Sequence, residues 1–158
     1  AETVFENTPK DAFVSYNPGS SEFSNPRPLI DIMRQRNPQL LSLNETELRQ
    51  LFEAPEKADV FSLATTACEF AENVLCTLGA QGVLLARRGV SSRPQIYSAP
   101  AKRLPAENVV DTLGAGDRAN AIATHGLFLQ LKPRVILSKV IDGAASVIGQ
   151  TGAHGDLY

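Results

Sequence analysis

The sequence has no tryptophan, one methionine, two cysteines and two histidines among its 158 residues. Two cysteines cannot make a disulfide framework, and Cys68 and Cys76 lack zinc-type spacing, so they read as reduced, buried small side chains. His125 and His154 stand outside any H-E-x-x-H or H-x-H pattern, which argues against a transition-metal site. Neither sign of charge dominates: 15 Lys+Arg against 17 Asp+Glu leave a net charge of -2. Nothing in that balance attracts nucleic acid or an anionic membrane. No apolar run approaches the ~20 residues that span a bilayer, and no cationic-then-apolar signal segment opens the chain. A cytoplasmic protein is the expectation. The chain begins with Ala1 rather than Met, so a piece of something longer is also expected. No internal repeat or low-complexity segment is visible.

What is present suits a packed domain. Hydrophobic residues make up 43% and charged residues 20%, which supplies a core and excludes general disorder. The length fits a single domain over 1–158 that buries roughly two-thirds of its extended surface. Apolar and helical segments alternate. Ala12 to Tyr16 reads as a strand ended by Asn17-Pro18-Gly19, and Pro26 to Arg36 as a helix with Leu29, Ile32 and Met33 on one stripe. Gln39 to Leu43 reads as a strand, Asn44 opens a helix carrying Leu48, Leu51 and Phe52, and Ala58 to Ala71 continues helical. Val74 to Leu78, a turn over Gly79 to Gly82, and Val83 to Arg87 read as a hairpin. Gln95 to Ser98 is a further strand, Ala119 to Leu131 a helix, and Pro133 starts a last helix to about Ile148. This alternation predicts an α/β fold with a mostly parallel sheet and helices on both faces.

The stretch that carries chemistry is Asp111 to Asp117, DTLGAGD. Two glycines one residue apart, where a loop becomes a helix, let successive backbone N–H groups converge on one point, and a phosphoryl group is the natural guest. Asp117 follows directly, in the first helical turn. A carboxylate beside a phosphate pocket can take the proton of an attacking hydroxyl, or it can simply complement the helix dipole, and spacing alone leaves both open. Gly114 to Ala119 also satisfies a loose G-x-G-x-x-A. A dinucleotide fingerprint, however, belongs after the first strand of a βαβ unit, and here no clear strand follows. No G-x-x-x-x-G-K-[ST] is present, which excludes a P-loop.

DTLGAGD resembles the D-T-x-G-A-G-D signature of the ribokinase-like (PfkB) family of sugar and nucleoside kinases. Asn44-Glu45-Thr46-Glu47 resembles that family's N-x-x-E motif, and Thr77 to Gly82 its T-x-G-x-x-G strand-turn. The stretch from Ala144 to Ala153 resembles its closing helix and loop. The resemblance runs over roughly Ala12 to Ala153 and covers only the C-terminal half of the family pattern. It implies a ribokinase-like three-layer α/β/α sandwich, truncated on its N-terminal side, that transfers phosphate from ATP to a sugar or nucleoside hydroxyl. By resemblance, Asp117 is the base, and Gly114, Ala115 and Gly116 form the anion hole. Thr112 lies beside the phosphates, and Asp111 shapes the loop near a monovalent cation. Thr77, Gly79 and Gly82 lie along the nucleotide, and Asn44 and Glu47 act on magnesium largely through water. Asn44 is equally a helix N-cap with Glu47 closing the box, and both roles can hold at once. Gly79 and Gly82 can equally be a plain hairpin turn.

Two departures stand out. Asp117 is followed by Arg118-Ala119 where the family has a small residue and then Phe, and Ile141 and Asp142 occupy the neighbourhood of an adenine-side Asn. Arg118 and the missing N-terminal half favour a catalytically dead kinase-like binding domain as the alternative, and the loose G-x-G-x-x-A keeps a dinucleotide-binding oxidoreductase domain as the third. The expected partners are a sugar or nucleoside and copies of the chain meeting at an exposed sheet edge, with no nucleic acid and no membrane.

Overall fold

The structure is a computed structural model describing residues 8, 9, 11–89, 93–104 and 114–148. Its elements are β1 (Ser15–Tyr16), a 3-10 turn (Ser20–Ser24), α1 (Pro26–Arg36), β2 (Leu40–Asn44), α2 (Glu45–Leu51), α3 (Val60–Ala67) and β3 (Asn73–Thr77). A second 3-10 turn (Gly79–Gln81), β4 (Val83–Arg87), β5 (Gln95–Ala99), α4 (Ala115–Phe128) and α5 (Pro133–Ile148) follow. The strands pair in the order β1-β2-β3-β4-β5 in one mostly parallel sheet. β1 lies parallel to β2, with Ser15 opposite Leu40 and Tyr16 opposite Leu41. β2, β3 and β4 are buried over four consecutive residues each, the pattern of strands covered on both faces. β5 has only exposed and half-buried positions.

The chain groups into two compact units, 1–76 with 85–96, and 77–84 with 97–158. In the first, Leu29 and Met33 of α1, Leu40, Leu41 and Leu43 of β2, and Val74 and Leu75 of β3 are all buried. Phe52 and Phe70 meet with ring centroids 6.0 Å apart. The buried polar residue Asn73 donates from Nδ2 to Gln39 O at 2.8 Å where the chain enters β3, while its Oδ1 is buried without a partner among the described residues. α1 starts on Pro26 and ends at Asn37, whose left-handed φ of 46° lets its N–H reach Met33 O. Asp59 caps α3; its side-chain bond from Ser62, with the N–H groups of Ser62 and Phe61, holds its carboxyl below the ordinary range. Burial pushes the thiol of Cys68 up to about 11 and that of Cys76 up to about 12, so both sit as inert protonated side chains.

In the second unit α4 packs on α5 through small side chains. Ala119 and Ala123 are fully buried, and Gly126 faces Ile136 with no room for a Cβ without moving that side chain. Among the described residues, no helix is long and apolar enough to cross a membrane.

Several boundaries move from the expected ones. β1 covers two residues rather than Ala12 to Tyr16, because Val14 N–H is taken by the Gln39 side chain at 2.7 Å before the ladder begins. α3 stops at Ala67 rather than Ala71. Thr65 and Thr66 donate back to Phe61 O and Ser62 O, a habit that weakens a helix, and Cys68 to Phe70 close in tighter turns. α4 starts at Ala115 rather than Ala119, which puts Asp117 in its first turn as expected and takes the second glycine of the motif into that turn as well.

Candidate active site

Gly114, the first glycine of DTLGAGD, stands just before α4, and its φ of 82° is left-handed and suits glycine. The first bond of the helix runs from Arg118 N–H to Gly114 O at 2.9 Å. The N–H groups of Ala115, Gly116 and Asp117 therefore precede the intrahelical ladder and point out of the helix start. Gly114 offers no side chain to cap them. Gly116 and Asp117 are exposed, and a Cβ at Gly116 would meet nothing within 4 Å. Asp117 holds the third helical position, and among the described residues no hydrogen bond or ion pair engages its carboxylate. Converging N–H groups, the positive end of the helix dipole and a free carboxylate beside them are the parts an anion site with an adjacent base requires. Arg118 is exposed, and its stem turns toward α5, with Cγ 3.6 Å from where a Cβ on Gly143 would stand. Asp111 and Thr112, expected beside the phosphates, lie outside the described residues.

The Thr77 to Gly82 turn belongs to the same unit. Leu78 N–H donates to Gly82 O at 2.8 Å, while Arg88 N–H donates to Glu72 O at 2.8 Å; each pair mirrors the other about the turn, which makes β3 and β4 the expected antiparallel hairpin. Gly79 and Gly82 both have positive φ, 55° and 112°. Their surroundings differ. A Cβ at Gly79 meets nothing within 4 Å, whereas one at Gly82 would run into Ala99 O, into Ala101 N at 2.7 Å and into the Pro100 carbonyl carbon at 2.8 Å. Thr77, the last residue of β3, is half-buried.

Asn44 and Glu47 belong to the other unit, at the start of α2. Asn44 Oδ1 accepts from Glu47 N–H at 2.9 Å, and Glu47 Oε2 accepts from Asn44 N–H at 2.8 Å. The capping box is closed in both directions, as the helix-start reading of this segment anticipated. Each side chain commits one oxygen to the cap, leaving the second carboxylate oxygen of Glu47 as acceptor. One carboxylate oxygen cannot form a cage, and among the described residues no group of three His, Cys, Asp or Glu could hold a metal directly. That donor set fits magnesium contacted through water, a mode this ion favours because it dehydrates reluctantly.

Sequence reasoning missed two features of the first unit. Tyr16 donates to Glu22 Oε1 at 2.7 Å while Gly19 N–H donates to Glu22 Oε2 at 2.9 Å, and burial first, then that glutamate, raises the phenol above its ordinary range. The spacing of Gly19 and Glu22 is that of a capping box, a signal hidden by the short turn it opens. An open groove of about 780 Å³ lies along α2, lined by Phe23, Glu45, Thr46, Arg49, Gln50 and Glu53 among others. Arg49 is fixed there by Glu45 at 2.7 Å, an i,i+4 pair legible in the sequence.

The pattern of the pfkB family carbohydrate kinases matches residues 11–157, and the chain belongs to that family. Among curated proteins none matches it in sequence. Its fold is that of the ribokinase-like kinases. The chain superposes on adenosine kinase from Sinorhizobium meliloti with a TM-score of 0.73 at 23% identity, covering 87% of this chain and 38% of that one. Ribokinase from Thermotoga maritima gives 0.70 at 23% identity, over 96% of this chain and 46% of the other. Ribokinase from Cryptococcus neoformans var. grubii in complex with ADP gives 0.72 at 23% identity, over 96% and 50%. The chain thus spans half or less of the length of these kinases.

Proposed function

We propose that this chain is the nucleotide-binding and catalytic part of a cytoplasmic carbohydrate kinase, a phosphotransferase that uses ATP to phosphorylate a hydroxyl of a sugar or nucleoside. The observation that carries this reading is the open start of α4, where Gly114 leaves three N–H groups uncapped beside the unengaged carboxylate of Asp117. Asp117 accepts the proton of the acceptor hydroxyl as its oxygen attacks. The N–H groups of Ala115, Gly116 and Asp117 hold the charge of the transferred phosphoryl group. Asn44 and Glu47 would hold magnesium through its water shell, and the ion would supply positive charge to the phosphates. Thr77 and Gly79 lie along the nucleotide, with Thr112 beside its phosphates and Asp111 near a monovalent cation. Copies of the chain associate through β1, which ends the order of the described strands.

Calorimetry with Mg·ATP, Mg·ADP and NADH tests the reading. Binding of the adenine nucleotides, strengthened by magnesium, is expected, with little phosphorylation of free sugars by these 158 residues alone. Binding of NADH without ADP would replace the kinase by an oxidoreductase domain. Binding of neither would leave a kinase-like scaffold. Sedimentation at several concentrations tests the association.

A further inference from the structure

The two glycines of the Thr77 to Gly82 turn differ in a way the motif spacing hides. Both need a positive φ, but only Gly82 is buried, and only there is the missing side chain replaced by another stretch of backbone. Its φ of 112° with ψ of -134° is a conformation that glycine adopts and other residues avoid. The obstructing atoms at Ala99, Pro100 and Ala101 are all main chain, so no rotamer change can make room. Gly82 also accepts from Leu78 N–H through its carbonyl and donates to Gly79 O through its own N–H at 3.1 Å, which closes the turn on itself.

We propose that Gly82 is a positioning residue and not a nucleotide contact: its bare Cα lets the exit of β5 lie against the turn, so that residues 77–82 and 99–101 are held as one piece with the Gly79 side left open. The proposal rests on the kinase reading for its link to nucleotide, and on packing alone for the coupling of the two segments.

Gly82→Ala and Gly79→Ala, made in this same chain, separate the terms. Both place alanine at positive φ, with the greater strain at Gly82, and only there does the methyl also meet backbone, a clash that Pro100→Gly probes without adding strain at either glycine. At a temperature where both variants remain folded, amide exchange over 97–101 should quicken in Gly82→Ala and stay at the wild-type rate in Gly79→Ala. Affinity for Mg·ADP should fall at least roughly tenfold in Gly82→Ala. Pro100→Gly adds no atom near the turn while freeing the exit backbone. It should also quicken exchange over 97–101 and weaken Mg·ADP binding, and it serves if Gly82→Ala does not fold. Equal exchange in the two alanine variants, or unchanged ADP affinity in a Pro100→Gly chain whose exit has loosened, would overturn the proposal. Should the wild-type chain bind no ADP, the kinase reading fails, while the exchange comparison still decides whether Gly82 couples the two segments.

Discussion

α2 and α4 begin with the same device and use it oppositely. Each carries a carboxylate at its third position, Glu47 in one and Asp117 in the other. At α2 the residue before the helix is Asn44, whose side chain and that of Glu47 bond each other's backbone N–H, so the start is closed within the chain. At α4 the residue before the helix is Gly114, which has nothing to offer, and the orphan donors and Asp117 face outward. The first arrangement satisfies the helix; the second leaves it unsatisfied for something else to complete. A stabilising start loses stability when cut, whereas a ligand-binding start loses affinity and can gain stability.

The largest effect separating the two should come from Asp117→Asn in any form of the chain that phosphorylates an acceptor. Turnover should drop about 10²–10⁴-fold with nucleotide affinity nearly unchanged, because the base is removed and the N–H groups stay. Near-normal kcat would return Asp117 to a role as dipole partner.

Alkaline pH should strike the α2 side next. Cys76 is held protonated by burial first and then by the nearby charge of Glu45, up to about 12 against an ordinary 9.0. The unfolded chain releases that proton from about pH 9 while the folded chain keeps it. The contribution is therefore fully present below that pH and is lost as pH rises toward 12. Urea melts of wild type and Cys76→Ala on both sides of this window check it; parallel slopes would show that Cys76 is not the source.

Gly116→Ala should move the two measures of the α4 start in opposite directions. Its Cβ meets open space, so better helix propensity should add up to ~1 kcal/mol of stability, while a methyl at the anion approach weakens Mg·ADP binding. A loss of stability would mean that this start is packed rather than open. Asn44→Ala should show the opposite balance, costing about 1 kcal/mol in a urea melt with ADP affinity unchanged. The smallest effect belongs to Glu47→Gln, which keeps the capping box and so should change stability by less than about 0.5 kcal/mol. It should still raise the magnesium needed for half-maximal rate, and an unchanged magnesium curve would leave Asn44 and Glu47 with the cap alone.

Much of this was legible from the chain itself, and the reasons are local. α1, with Pro26 at its start and Leu29 and Met33 on one stripe, and β4, a continuous apolar run, fall where periodicity places them. The capping box of Asn44 and Glu47 is written in two residues three apart. The phosphate-binding reading of Gly114 to Asp117 is likewise a matter of residue type and spacing, and it needs no long-range contact to be seen. The start of α4 lies earlier than periodicity suggests, because glycine lowers helix propensity, and only the left-handed turn at Gly114 shows that the helix begins on the next residue.

What tertiary structure alone decided are the meetings between distant stretches. Tyr16 with Glu22 depends on a 3-10 turn too short to leave a period, and the groove along α2 on Phe23 reaching a helix that starts more than twenty residues later. The role of Gly82 depends on a segment seventeen to nineteen residues downstream that happens to cross its bare Cα. A sequence records which residues are small, polar or apolar, and so determines the elements, the caps and the glycine-opened start of α4, whose causes lie within a few residues. It does not record which backbone passes over which, because that is settled by how whole elements pack, and there the reason for a glycine can change from flexibility to want of space.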